Sequence, residues 1–282
     1  MEAYFLSHNG MGDNLYSVGA LRFLLNYYDK IYFLCKDIYY ENIRMFFIDT
    51  DKIICVPINT HNNEFQECYN IIINKYDKYD IFICGPCHTS YLKSKITNRE
   101  LLLYNNKKTS MIETHTIDYD MINSSNYSFI EGFYNDINLD LSIFFNYFEL
   151  PSLKESKQLY DTVKHYNIIF LQTSASGNQR LNIKNLLNKY LHDEKTILIS
   201  NDENLYENVQ SDIEHIHTKK QLCHNFIKNK IIYYLDTIKN CSEIYIIDSC
   251  FVGIILPLKK MNKLKANIVR IILRGCVNDN PL

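Results

Sequence analysis

The chain of 282 residues is too long for one minimal domain and suits two domains of roughly 130 to 150 residues. A hydrophobic share of 46% with 22% charged residues excludes a disordered chain, and a formal net charge of −2 removes any whole-chain case for nucleic acid. Nine cysteines, odd in number and set in apolar runs such as those holding Cys35, Cys55, Cys84 and Cys241, exclude a disulfide framework and point to reduced thiols in a cytoplasmic compartment.

In chain order, the first half alternates short apolar runs with helical spacing. Ala3–Ser7 reads as a strand, Gly10-Met11-Gly12 as a turn, and Leu15 to Tyr28 as a helix with Leu15, Val18, Leu21 and Leu25 on one face. Strands follow at Ile31–Cys35, Ile53–Pro57 and Ile81–Cys84, with helices at Tyr40–Phe47 and Glu64–Lys75 between them. Short, fully apolar strands alternating with helices predict a parallel sheet covered on both faces. Beyond it, Ser110–Thr114 is a candidate strand and Leu139–Leu150 an apolar, aromatic helix. Pro151 breaks that pattern, and 151–166 reads as a polar linker or helix.

The rhythm then restarts. Strands are expected at Ile168–Gln172, Thr196–Ser200, Ile244–Ile247 and Ile268–Leu273, helices at Ile183–Leu191, Ile231–Lys239 and Phe251–Leu258, and polar loops over 201–230. No basic-then-apolar leader is visible at 1–10. The longest apolar run near the C-terminus, 250–258, is about half of a membrane span, so no transmembrane segment is expected. The fold class expected is α/β, two facing Rossmann-like domains at 1–150 and 151–282, with ligands in the cleft at the carboxyl ends of the strands. Residues 1–150 carry a formal charge of −7 and 151–282 one of +5. A positive second half suits an anionic ligand such as a nucleotide diphosphate.

The first chemical candidate is His8-Asn9-Gly10-Met11-Gly12-Asp13-Asn14, between a strand and a helix. Its two glycines suit a tight turn and close approach to a ligand. Asp13 falls at the helix start, where a cap and a carboxylate aimed at a ligand are both open readings. It is not the dinucleotide fingerprint, because Leu15 holds the place of the third glycine. In the second half, Thr173-Ser174-Ala175-Ser176-Gly177 follows a strand and precedes a helix. Its hydroxyls and amides are candidate phosphate ligands, with Arg180 and Lys184 adding positive charge. Ser200-Asn201 ends the next strand as a candidate for base or ribose. Asp248-Ser249 ends Ile244–Ile247 as a helix cap or a ligand-facing turn.

Gly10-Met11-Gly12-Asp13, followed by Gly19-Ala20-Leu21-Arg22, resembles the opening of the lipopolysaccharide heptosyltransferase family. That family has a Gly-x-Gly-Asp turn and a Pro-Ala-Leu-Arg-like helix; Gly19 stands here for the proline. Asp248-Ser249 is similar to its Asp-Ser-Gly turn, with Cys250 in place of the glycine. Gln172-Thr173-Ser174-Ala175-Ser176-Gly177 lies where the family has a Pro-Gly-Ala-Ser-like loop. The resemblance implies a GT-B type glycosyltransferase. The acceptor, a glycan or other hydroxyl compound, would bind the first domain and the nucleotide sugar the second. No metal and no cofactor would be needed, the nucleotide sugar being substrate. Sugar transfer needs a base for the acceptor hydroxyl and groups that stabilise the departing diphosphate. Asp13 is the first candidate base and His8 the second, with Asn9, Gly10, Gly12 and Asn14 forming the acceptor-side loop. Thr173, Ser174, Ser176, Gly177, Arg180, Lys184, Ser200, Asn201, Asp248 and Ser249 are the candidates for the nucleotide sugar. A non-catalytic nucleotide-sugar-binding protein of the same fold is the first alternative, and a thiol-disulfide protein using Cys84 and Cys87 the second.

Three other patterns were weighed. Cys84-Gly85-Pro86-Cys87 has the form of a thiol-disulfide motif but is the end of the fourth strand of a series, so the pair is expected to be structural. Asp49-Thr50-Asp51 and Asp118-Tyr119-Asp120 are D-x-D patterns, expected to be accidental. His215-Ile216-His217 has no third ligand at a recognised spacing and is expected in an exposed loop.

Overall fold

A computed structural model describes residues 1–7, 10–59, 63–75, 78–85, 91, 124–175, 179–203, 205–206 and 213–272. The chain divides into two units, Met1–Pro151 and Ser152–Leu282. The candidate strand Ser110–Thr114 and the pattern Asp118-Tyr119-Asp120 lie outside the described residues.

In the first unit, strands β1 (Glu2–Leu6), β2 (Lys30–Lys36), β3 (Ile53–Ile58) and β4 (Asp80–Ile83) form one parallel sheet in the order β3-β2-β1-β4. Its side chains are apolar on both faces, as a doubly covered sheet requires. Phe5 lies in register with Phe33 on one side and Phe82 on the other, ring centroids 5.7 and 6.2 Å apart. The opposite face stacks Tyr4 on Tyr32 at 4.8 Å and packs Leu6, Leu34 and Ile83 with Cys68 and Ile72. The latter two come from a helix, Glu64–Ile73, whose first turn is capped by the Asn63 carboxamide. Each aromatic pair contributes about 0.5–1.5 kcal/mol beyond its buried area.

The helix expected over Leu15–Tyr28 is two helices, α1 (Met11–Tyr16) and α2 (Val18–Leu24), broken at Ser17. The break has a side-chain cause. In a continuous helix the Ala20 amide would donate to the Tyr16 carbonyl. Here it donates to the Tyr134 hydroxyl at 3.2 Å, and that hydroxyl donates to the Tyr16 carbonyl at 2.8 Å. An inserted side chain is a recognised cause of a helix kink. Tyr134 comes from a helix the sequence reading missed, Ser124–Asp136. The expected Leu139–Leu150 helix is only Ser142–Asn146, and it packs backbone to backbone against α2. A Cβ at Gly19 would stand 2.8 Å from both the Ile143 carbonyl oxygen and the Phe144 Cα. The expected helix Tyr40–Phe47 is one α-helical turn, Tyr40–Ile43, between two 3-10 turns. Arg22 fixes the second of these, donating to the Phe46 carbonyl at 3.0 Å and to Asp49 at 2.7 Å.

The second unit opens on a helix, Lys154–Val163, in the stretch read as linker or helix. It holds β5 (Asn167–Gln172), β8 (Thr196–Ser200), β9 (Glu243–Ile247) and β10 (Ile268–Ile272), all parallel, in the order β10-β9-β5-β8. A short antiparallel ribbon, β6 (Ser174–Ala175) with β7 (Gln179–Arg180), leaves the end of β5. One face of the sheet packs Ile169, Leu171, Leu198 and Tyr245 against Leu186 and Cys223. On the other face Phe170 meets Tyr234 and Phe251 at centroid distances of 6.1 and 5.1 Å. Residues 201–230 are not all loop: Glu214–His224 is a helix, and it carries the His215-Ile216-His217 pattern expected in a loop. Its buried Lys219 donates to the carbonyls of Leu191 and Asp193, at 3.2 and 2.6 Å, just past the helix Lys184–Tyr190. Among the described residues no helix is long and apolar enough to cross a membrane.

Candidate functional site

Strand order marks where an open α/β sheet offers room for a ligand. In the first sheet the chain runs outward from β1 through β2 to β3 and then returns to the far side of β1 as β4. In the second it runs from β5 to β8 and returns to the far side of β5 as β9. The switch points are therefore β1/β4 and β5/β9, and open α/β sheets bind ligands beyond the carboxyl ends of strands at such points.

At the first switch point Gly10 precedes α1 in an extended conformation, φ −73° and ψ 155°. The expected Gly10-Met11-Gly12 turn is thus corrected: Met11 and Gly12 are already helical, and neither Gly10 nor Gly12 has a positive φ. Gly10 matters for another reason. Its amide donates to Asp13 Oδ2 at 3.1 Å, and a Cβ on it would lie 2.4 Å from that oxygen. Asp13 therefore does close the helix start, with its carboxylate folded back over Gly10. Asn14 is fully buried. Its Nδ2 donates to the Gly10 carbonyl at 2.6 Å, and its Oδ1 has no partner among the described residues. His8 and Asn9 lie outside the described residues.

At the end of β4, Gly85 has φ 95°, a left-handed conformation that favours glycine, and its amide donates to Asp136 Oδ2 at 2.9 Å. Cys84 beside it is buried. Burial pushes its thiol well above the usual range; the charges of Asp136 and Asp13 push the same way, and a hydrogen bond with Ser17 opposes them. A redox thiol needs access and a lowered pKa, the reverse of this environment. Cys87 lies outside the described residues. Asp49, of the D-x-D pattern, is held by Arg22. No group of three or more His, Cys, Asp or Glu suited to a metal occurs among the described residues.

At the carboxyl ends of β5 and β8, beside the second switch point, the structure gathers some of the expected residues and adds one. Thr173 donates its hydroxyl to Asp202 Oδ2 at 2.5 Å, and Arg180 lies 3.8 Å from the same oxygen. The buried Ser200 accepts the Asp202 amide at 3.0 Å. Asp202 was not singled out from the sequence, although it stands next to Ser200-Asn201. Its partner Thr173 is 29 residues away, just past the end of the neighbouring strand β5. Thr173 and Ser174 do not lead straight into a helix as expected. They enter the β6–β7 ribbon, and the next helix begins at Lys184. Lys184 is exposed at that helix start, and Arg180 keeps 61% of its side chain in solvent. Ser176 and Gly177 lie outside the described residues.

Asp248 remains tied to the sheet, its amide donating to the Ile272 carbonyl at 2.9 Å. Ser249 does not begin the following helix, which starts at Val252; it sits in the intervening turn. Its hydroxyl is buried without a partner among the described residues, as are Gln172 Oε1 and Asn201 Oδ1. Buried polar atoms are normally paired. Gln172, at the end of β5, is a second residue the sequence reading passed over as a ligand group.

No family model and no curated protein matches the sequence. Solved structures do match the fold. The chain is similar to a glycosyl transferase family 9 protein from Veillonella parvula, with a TM-score of 0.55 and 10% identity over 99% of this chain and 90% of that one. It is also similar to the Escherichia coli ADP-heptose lipopolysaccharide heptosyltransferase II, with a TM-score of 0.56 and 12% identity over 96% and 90%. The chain has the fold of these heptosyltransferase-like glycosyltransferases.

Proposed function

We propose that the chain is a GT-B type glycosyltransferase that moves a sugar from a nucleotide-sugar donor to an acceptor hydroxyl, with inversion and without a metal. The observation that carries this reading is the Asp13 carboxylate, held over Gly10 at the β1/β4 switch point of a fold shared with sugar transferases. The reading requires the carboxyl edges of the two sheets to face a common cleft, acceptor on the first and donor on the second. Asp13 then takes the proton of the acceptor hydroxyl, and that oxygen bonds to the anomeric carbon. The bond from that carbon to the diphosphate oxygen breaks, and the nucleoside diphosphate leaves with the electron pair. One displacement inverts the anomeric centre.

Around the carboxyl ends of β5, β8 and β9, Arg180 and the Ser249 hydroxyl supply donors for a diphosphate, and the amide oxygens of Gln172 and Asn201 supply acceptors for ribose hydroxyls or base N–H groups. The formal charge of +5 over 151–282 favours an anion there. The matched heptosyltransferase is named for ADP-heptose, which places ADP-linked sugars beside UDP- and GDP-linked ones as the first donors to test. A thermal-shift screen against that panel is the direct test, since a ligand bound only by the native state raises the melting temperature. A panel without a stabilising member contradicts the reading. Activity abolished by EDTA and restored by Mn²⁺ reverses its metal-free part.

A further inference from the structure

We propose that Tyr134 and Asp136 are positioning residues that fix the α1–α2 junction following β1 and the chain exit of β4, and through the first of these the Asp13 carboxylate. This rests on the assignment of Asp13 as the base. Both side chains come from the last three residues of the helix Ser124–Asp136. Tyr134 is fully buried, and burial pushes its phenol well above the usual range, so it stays protonated. It can therefore accept the Ala20 amide and donate to the Tyr16 carbonyl at once. That insertion replaces one rung of the helix and sets the direction of α1, on which Asp13 sits. A phenylalanine would fill the same volume and leave two buried backbone groups without their partner.

Asp136 stands at a helix C-terminus, the end at which the helix dipole disfavours an anion, and no basic residue occupies that last turn. Its carboxylate is turned to the Gly85 amide at 2.9 Å, at the residue whose left-handed backbone ends β4. The buried Cys84 thiol feels both Asp136 and Asp13 and is hydrogen-bonded to Ser17 at the helix break. One helix end thus reaches the exit of β4 and the junction of the two helices that follow β1.

The test uses the full chain and the variants Tyr134→Phe, Asp136→Asn and Asp136→Ala. Hydrogen exchange over residues 11–20 is measured first, because it needs no substrate. Tyr134→Phe should speed exchange there and leave the second unit unchanged. ADP release from ADP-heptose is measured next in the presence of a panel of glycan acceptors, whose hydroxyl takes the sugar. Tyr134→Phe should lower kcat by about tenfold or more while KM and binding stoichiometry hold, the signature of a misplaced base. Asp136→Asn, whose amide oxygen still accepts from Gly85, should stay within about threefold of the parent, and Asp136→Ala should fall as Tyr134→Phe does. Unchanged exchange over 11–20 in Tyr134→Phe overturns the proposal, and so does a kcat loss accompanied by lost binding stoichiometry. A parent chain that binds ADP-heptose but releases no ADP with any acceptor of the panel overturns the role of Asp13, while the exchange result still decides whether Tyr134 holds α1.

Discussion

Tyr134 and Ala20 are 114 residues apart in sequence and share a buried hydrogen bond of 3.2 Å that interrupts a helix. The first helix therefore turns at Ser17, and its amino-terminal segment, bearing Asp13, stands as a short separate element after β1.

Gly10→Ala tests the geometry of that segment. The added methyl would fall 2.4 Å from Asp13 Oδ2, so the carboxylate must swing away. Turnover should drop by about tenfold to hundredfold, as expected for a misplaced reacting group. The melting temperature should fall only modestly: the swing breaks the Gly10–Asp13 cap, worth about 0.5–2 kcal/mol, while the extended backbone of Gly10 suits alanine. Steady-state kinetics and a thermal melt check both parts.

Gly19→Ala tests packing instead. Its Cβ would meet the backbone of Ile143 and Phe144 at 2.8 Å, and backbone cannot swing aside as a carboxylate can. Overpacking of this kind costs about 1–3 kcal/mol. Urea unfolding of the variant should show that loss, and a midpoint equal to the parent's would mean that the two helices separate freely.

These two glycines mark what the sequence makes legible. The eight sheet strands appear within a residue or two of their expected bounds, because short apolar runs between helical patterns have few other readings. Strand order, and with it the two switch points, is not written in periodicity. The helix Ser124–Asp136 was missed because it opens with Ser-Ser-Asn-Tyr-Ser, residues that compete with helical hydrogen bonding. The helix Glu214–His224 was missed for a different reason. Its buried stripe of Ile216, Lys219 and Cys223 includes a lysine, so the apolar period is broken in the sequence though not in space. Asp202 escaped notice because its partners Thr173 and Arg180 arrive through the β5–β8 pairing and the ribbon.

Alkaline pH should destabilise the second unit through its buried thiols. Burial pushes Cys223 to about 11 and Cys241 to about 12 from an ordinary 9.0. Both folded values are raised, so this contribution is complete below pH 9 and is lost as pH climbs toward the folded values, the unfolded chain ionising first. The Cys223 share is on the order of 2 kcal/mol. Cys223→Ala should flatten the fall of unfolding free energy between pH 9 and 11, and an unchanged slope would assign the alkaline limb elsewhere.

Nucleotide-sugar binding should depend on the ribbon beyond β5. Ser174→Asp combined with Arg180→Glu puts two negative charges on facing residues of that ribbon. The dissociation constant should rise at least about tenfold, given the cost of like charges at a diphosphate. Calorimetric titration checks this, and undiminished affinity would show that the site lies elsewhere.

The most direct measurement is turnover of Asp13→Asn beside its melting temperature. From the third position of the helix the asparagine oxygen can still accept the Gly10 amide, so stability should change by less than about 1 kcal/mol. Basicity is lost, and transfer should fall by roughly two to four orders of magnitude with nucleotide-sugar affinity unchanged. Normal turnover in Asp13→Asn, with lost stability in Asp13→Ala, would contradict the account and leave Asp13 as a helix cap alone.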